Sequence, residues 1–126
     1  MSPEIENELH HRYPKVLGYI GPEGEYRTKL WGGFQHGDGW HDLIDTLCAC
    51  IQQRIESTGE SVQVSQVKEK FGSLRFYVVG GDEQIKGMID LAESHSEKIC
   101  EECGRPGKQK NVKGWIITRC DDHTPK

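Results

Sequence analysis

An α+β fold is predicted for this chain: a small antiparallel sheet or hairpin covered by two main helices, followed by a compact metal-bound lobe. Three observations predict it. Apolar residues recur at helical spacing in two separate stretches, residues 41–57 and 83–97. Between them, Val62 to Val79 alternates apolar and polar residues on either side of Phe71-Gly72, the pattern of a hairpin. After them come Cys100-Glu-Glu-Cys103 and Cys120-Asp-Asp-His123, two ligand pairs with the same two-residue gap. The chain therefore divides into an α+β core over residues 1–98, with an N-terminal helix and a glycine-rich loop, and a lobe over residues 99–126 packed on it.

The first helix opens on Ser2-Pro3-Glu4, with Ser2 as N-cap, Pro3 at the first helical position and carboxylates near the positive end of the dipole. Ile5, Leu9 and Tyr13 share one face, and Pro14 ends the helix. His10 and His11, beside that stripe, read as adjacent surface histidines. From Lys15 to Gly39, seven glycines and Pro22 make a loop with one or two short strands and a turn from Gly21-Pro22 to Gly24. So long a loop, when ordered, often builds a binding site.

Asp38 is the expected N-cap of the next helix, which ends at Thr58-Gly59. Its apolar face is Leu43, Ile44, Leu47, Cys48, Ile51 and Ile55, which makes Cys48 a small core residue and leaves Cys50 off the face. In the hairpin, a tip at Phe71-Gly72 pairs Val67 with Phe76 and Lys68 with Arg75. That register sends Val67, Leu74, Phe76 and Val78 to the core and Gln66, Lys68, Lys70, Arg75 and Tyr77 outward. A slip of one residue would bury two lysines and an arginine. Asp82 caps the last long helix, whose face is Ile85, Met88, Ile89 and Ala92, and Val112 to Thr118 supplies one strand of a small hairpin between the ligand pairs.

Three cysteines and one histidine in two short-spaced pairs are the ligand set of a tetrahedral structural Zn²⁺ site. Cys100, Cys103, Cys120 and His123 are the expected ligands, with Gly104 supplying the turn after the first pair; His95 is the alternative to His123. Knuckle, hairpin and second ligand pair resemble a treble-clef or zinc-ribbon finger. Such a site has no open coordination position, so it stabilises and does not catalyse. Asp122-His123-Thr124-Pro125 also looks like part of an HNH-type nuclease motif, but no downstream Asn or His follows to hold a catalytic metal.

Composition narrows the class further. With 126 residues, 34% hydrophobic, the chain has a modest core to which metal binding would add folding free energy. It shows no bilayer-length apolar stretch and no signal-peptide pattern, and its five cysteines are better explained by a metal site in a reducing compartment than by disulfides. A cytoplasmic setting, bacterial or in an infected cell, is expected. The net charge of −4 comes mainly from residues 1–60, with five Lys/Arg against ten Asp/Glu. Residues 98–126 are mildly basic, a weak argument for nucleic acid.

For function, the leading expectation is a non-enzymatic binding protein for a nucleotide or other anionic ligand. Gly37, Asp38 and Trp40 would present backbone N–H groups at a helix start, while Lys68, Lys70, Arg75 and Tyr77 supply charge and a stacking surface. Alternatives are a protein-interaction adaptor displaying Trp31, Phe34 and Trp40, and a metal-dependent enzyme using His36, Asp38, His41 and Asp42 or the nuclease-like end. Gly37-Asp-Gly-Trp40 with the following Leu-Ile-Asp, Val67-Lys-Glu-Lys-Phe-Gly-Ser-Leu-Arg-Phe-Tyr77 and the terminal finger together resemble a group of small phage, prophage and bacterial proteins. The resemblance implies a context and no activity: a cytoplasmic accessory protein of host takeover or antiphage defence.

Overall fold

A computed structural model describes residues 1–20, 26–27, 30 and 32–125. The architecture is α+β. In chain order come α1 (Pro3–Arg12), α2 (Pro14–Leu17), β1 (Tyr19–Ile20), β2 (Tyr26–Arg27), β3 (Phe34–Gln35), a 3-10 turn (Asp38–Trp40) and α3 (His41–Thr58). Then follow β4 (Val62–Lys70), β5 (Ser73–Gly80), α4 (Glu83–Ser96), β6 (Lys108–Val112), β7 (Trp115–Arg119) and a second 3-10 turn (Asp121–His123).

The β4–β5 hairpin has the expected register, with Val67 opposite Phe76 and Lys68 opposite Arg75. Phe71 and Gly72 both take positive φ at its tip, as a two-residue type I′ turn requires. One extra residue sits between Val64 and Gln66, a bulge that lets Val64 and Val67 both face the core although they are three apart. To this antiparallel pair the structure adds β3, which runs parallel to β4 with Phe34 beside Val67 and Gln35 beside Lys68. The small sheet is therefore mixed. Its inner row is Phe34, Val67 and Phe76, all buried, and its outer row is Gln35, Lys68 and Arg75.

Helix α3 buries Ile44, Leu47, Cys48 and Ile51 and ends on Gly59 in the left-handed conformation. In α4 the Asp82 carboxylate accepts the Ile85 N–H at 3.0 Å, the expected cap. This helix also closes the open edge of β5: Ser96 Oγ accepts the Leu74 N–H and Glu93 Oε2 accepts that of Phe76, both at 2.9 Å. Edge amides that would otherwise template pairing are thus taken up within the chain.

The N-terminal quarter departs from expectation in three places. Pro14 starts α2 instead of opening a loop, because a proline at the first helical position loses no hydrogen bond, and Val16 and Leu17 are buried there. His10 is buried, its Nδ1 donating to the Gly18 carbonyl at 3.0 Å, whereas His11 is exposed. Ser2 occupies the N-cap position of α1 without a side-chain bond; its N–H donates instead to Asp38 Oδ1 at 2.7 Å. The turn expected at Gly21-Pro22 to Gly24 lies outside the described residues, as does Trp31.

Candidate metal centre

The first ligand pair sits on a knuckle closed by its own backbone. Gly104 N–H donates to Cys100 O at 2.9 Å, with Gly104 at φ 81° where a side chain would be strained, and Cys100 N–H donates to Arg105 O at 2.8 Å. The β6–β7 hairpin then carries the chain back, and the second 3-10 turn presents the other pair, with His123 N–H on Cys120 O. The ligand atoms of Cys100, Cys103, Cys120 and His123 all lie within 4.8 Å of one another. Cys103 Sγ is 3.7 Å from Cys120 Sγ, and His123 Nδ1 is 3.2 Å from Cys120 Sγ and 3.9 Å from Cys100 Sγ. His95 takes no part in the cluster.

Around the ligands the polar groups are paired. Lys110 Nζ reaches Asp121 at 3.0 Å and Thr124 Oγ1 at 2.6 Å, and Arg105 meets Asp122 at 3.0 Å. Arg105 also hydrogen-bonds Cys103 and holds that thiol down at about 6, so the thiolate a metal requires is already favoured. The nuclease-like Asp122-His123 pair is thereby divided, His123 turning its Nδ1 to the sulfurs and Asp122 its carboxylate to Arg105.

The knuckle is seated on the loop that the sequence singled out for ligand binding. Glu101, between the cysteines, is buried and is held four ways. Its Oε2 accepts the Gly37 N–H at 2.8 Å, its Oε1 meets Arg119 at 2.8 Å, its carbonyl accepts the Gly39 N–H at 2.7 Å, and its own N–H donates to Thr118 O. Trp40, 0% exposed, donates from Nε1 to Ile99 O at 3.0 Å. A Cβ on Gly39 would collide with the Cys100 carbonyl, and one on Gly37 would sit 2.5 Å from that of Glu101. The carboxylate that meets the Gly37 N–H and the carbonyl that meets the Gly39 N–H both belong to this chain's own Glu101.

That arrangement corrects the expected ligand site. Gly37 and Trp40 are occupied by the knuckle, and Asp38 by Ser2 rather than by a cap or a ligand. Of the aromatic residues of the adaptor reading, Phe34 and Trp40 are buried, at 3% and 0% exposed. Of the proposed acid–base group, His36 is buried against Trp40 with ring centroids 5.7 Å apart, and Nδ1 donates to Gly37 O. Burial drives its pKa down to about 4, so it is neutral at pH 7. His41 Nδ1 lies 3.2 Å from the exposed Asp42 carboxylate.

The hairpin half of the expected site remains on the outer face. Lys68, Lys70 and Arg75 have no carboxylate partner among the described residues, whereas Arg12, Lys15, Arg54, Arg105, Lys110 and Arg119 each have one. Arg75 Nη1 donates to Ser73 Oγ, Lys70 Nζ lies 5.6 Å from the centroid of the Phe71 ring, and Tyr77 is exposed. Gln35 joins the row through β3. Sequence reasoning missed it because a two-residue strand has no readable period, and missed Glu101 because nothing local marks a carboxylate between ligands as a docking group.

Fold and centre together define the class: a small α+β protein whose C-terminal lobe, in the order knuckle, hairpin, helical turn, gathers a Cys3His group that could hold a metal ion. No family model, curated protein or solved structure matches the chain. Among the described residues, no helix is long and apolar enough to cross a membrane.

Proposed function

We propose that the centre holds one structural zinc ion and that the protein is a non-enzymatic, cytoplasmic binding protein for a nucleotide or similar anion. Zinc about 2.3 Å from each sulfur and about 2.0–2.1 Å from an imidazole nitrogen sets tetrahedral edges of about 3.8 Å between sulfurs and about 3.5 Å between sulfur and nitrogen. The distances of 3.7 Å for Cys103–Cys120, and of 3.2 and 3.9 Å from His123 to Cys120 and Cys100, bracket those values. Four protein ligands leave the ion no position for substrate, so its role is to hold the lobe together.

The observation that carries the binding role is the unpaired charge of the β4–β5 face. In a chain with 20 Asp/Glu against 16 Lys/Arg, three neighbouring cations without a carboxylate partner among the described residues are available for an external anion. Arg75 offers a planar fork suited to phosphate, Lys68 and Lys70 point charges, and Tyr77 a flat ring. In a phage setting such a protein sequesters a signalling nucleotide.

Native mass spectrometry of gently purified protein should show one zinc and a retained anionic ligand. Lys68→Ala and Arg75→Ala should abolish nucleotide binding in titration calorimetry with Tm nearly unchanged, because both side chains are solvent-facing. Parallel loss of stability and binding, or no binding of any nucleotide by the wild type, would count against the reading.

A further inference from the structure

The tip of the β4–β5 hairpin packs against the β6–β7 strands, and the meeting leaves a cleft of about 360 Å³ lined by Glu69, Lys70, Phe71, Gly114, Trp115 and Ile116. The finger is held against the β4–β5 tip by Thr118 Oγ1 donating to Gly72 O and by Gln109 Nε2 donating to Phe71 O. The cleft is therefore preformed. Its aromatic walls face water, Trp115 being 76% and Phe71 63% exposed.

Folding alone does not account for these side chains. Both tips are two-residue turns ending in glycine, and in each the residue before glycine has positive φ, 54° at Phe71 and 51° at Lys113. Asn or Asp is favoured at such a position. Here one tip carries a bulky ring and the other a cation, each in an unfavourable backbone conformation and each solvated.

A line of positive charge leads to this cleft. Lys68 and Lys70 alternate on the outer face of β4, about 6.6–6.8 Å apart along the strand; Arg75 lies beside Lys68, and Lys70 stands over Phe71. Lys113 at the other tip also lacks a carboxylate partner among the described residues. The one acid in the wall, Glu69, accepts the Gly72 N–H at 2.7 Å. Cations that track a backbone, ending in exposed rings on which bases stack, are the two elements of single-strand binding.

We infer that the Phe71–Trp115 cleft is a stacking site for an unpaired base, and that the polyanion lying along Lys68, Lys70 and Arg75 is single-stranded nucleic acid. The inference rests on the anionic-ligand reading above and names its ligand class. A membrane surface would meet convex apolar tips ringed by charge; here the apolar groups bracket a concavity and the charge runs away from it along one strand.

The test is fluorescence anisotropy with labelled short oligothymidylate and oligouridylate, beside ATP and phosphatidylserine vesicles, on the zinc-loaded full chain. Wild type should bind the oligonucleotides more tightly than ATP, with a log–log salt slope of magnitude about 2 for three phosphate contacts. Trp115→Ala and Phe71→Asn should each weaken oligonucleotide binding about ten-fold or more. Phe71→Asn should not lower Tm, since Asn-Gly suits the turn. Oligonucleotide binding that is unaffected by either substitution, or a preference for vesicles, overturns the inference. Tight ATP binding, lost in Lys68→Ala, without oligonucleotide binding overturns the inference and leaves the anionic-ligand reading standing. Failure to bind any of the anions overturns both.

Discussion

The β4–β5 and β6–β7 hairpins are built on the same local plan and held in place by different physics. Each joins its strands through two residues, a non-glycine and then a glycine, both at positive φ. The first hairpin buries Val62, Val64, Val67, Leu74 and Phe76 in the main core, with α2 against β4 and α4 against β5. In the second, Thr118 is the only buried residue of either strand. What the β6–β7 hairpin lacks in apolar burial is supplied by the four-residue Cys/His cluster at its base and by Glu101, Thr118 and Gln109, which bond the Gly37 loop and the β4–β5 tip. An isolated two-stranded hairpin is marginal in water. A turn sequence specifies a hairpin's geometry, and something outside the hairpin must stabilise it.

With the proposed zinc in place, removing it should break the symmetry most strongly. Structural zinc contributes on the order of 10 kcal/mol in isolated fingers, as much as the whole net stability of a typical domain. Chelation or Cys120→Ser should therefore abolish hydrogen-exchange protection across residues 108–119 while the β4–β5 amides stay protected. Simultaneous loss in both hairpins would show that the lobe and core are one cooperative unit.

A smaller perturbation separates docking from metal binding. The Cβ added by Gly39→Ala has nowhere to go against the Cys100 carbonyl, and relief of such a clash costs about 1–3 kcal/mol. Tm should fall while the zinc content stays at one ion per chain; loss of zinc from this variant would mean that the loop helps to form the centre.

The core side also has its own pH response. His36 takes a proton in the folded state only near pH 4, because of its burial, whereas the unfolded chain takes one near 6.5. Between those values the unfolded state binds more protons, so stability rises with pH and is complete above about 6.5. The span corresponds to about 3 kcal/mol. Urea midpoints from pH 4 to 7 should converge for wild type and His36→Phe at the acid end and diverge above; a constant difference would exclude His36 as the source. Least of all, Lys113→Asn should raise stability by up to about 1 kcal/mol, by suiting the left-handed tip of β6–β7.

Much of this molecule follows from local pattern. The helices at 41–58 and 83–96 were readable because their apolar faces repeat with the helical period and their ends carry Gly59 and Asp82. The β4–β5 register was readable because the alternative would have buried Lys68, Lys70 and Arg75. The clustering of Cys100, Cys103, Cys120 and His123 was readable because a two-residue gap aims both side chains of a pair at one point. Ligand spacing, period and charge burial all act over a few residues, so the chain carries them openly.

Tertiary structure decided the rest. Whether the N–H groups of Gly37 and Gly39 were free for a ligand depended on Glu101, more than sixty residues away, and they are not free. His10 could be placed only once Gly18 had folded back over it, and β3 exists only because β4 offers its edge to Phe34 and Gln35. The physical reason is the same in each case: a polar group is satisfied by whichever partner the fold brings to it. The sequence lists the donors and acceptors, but only the packed chain pairs them.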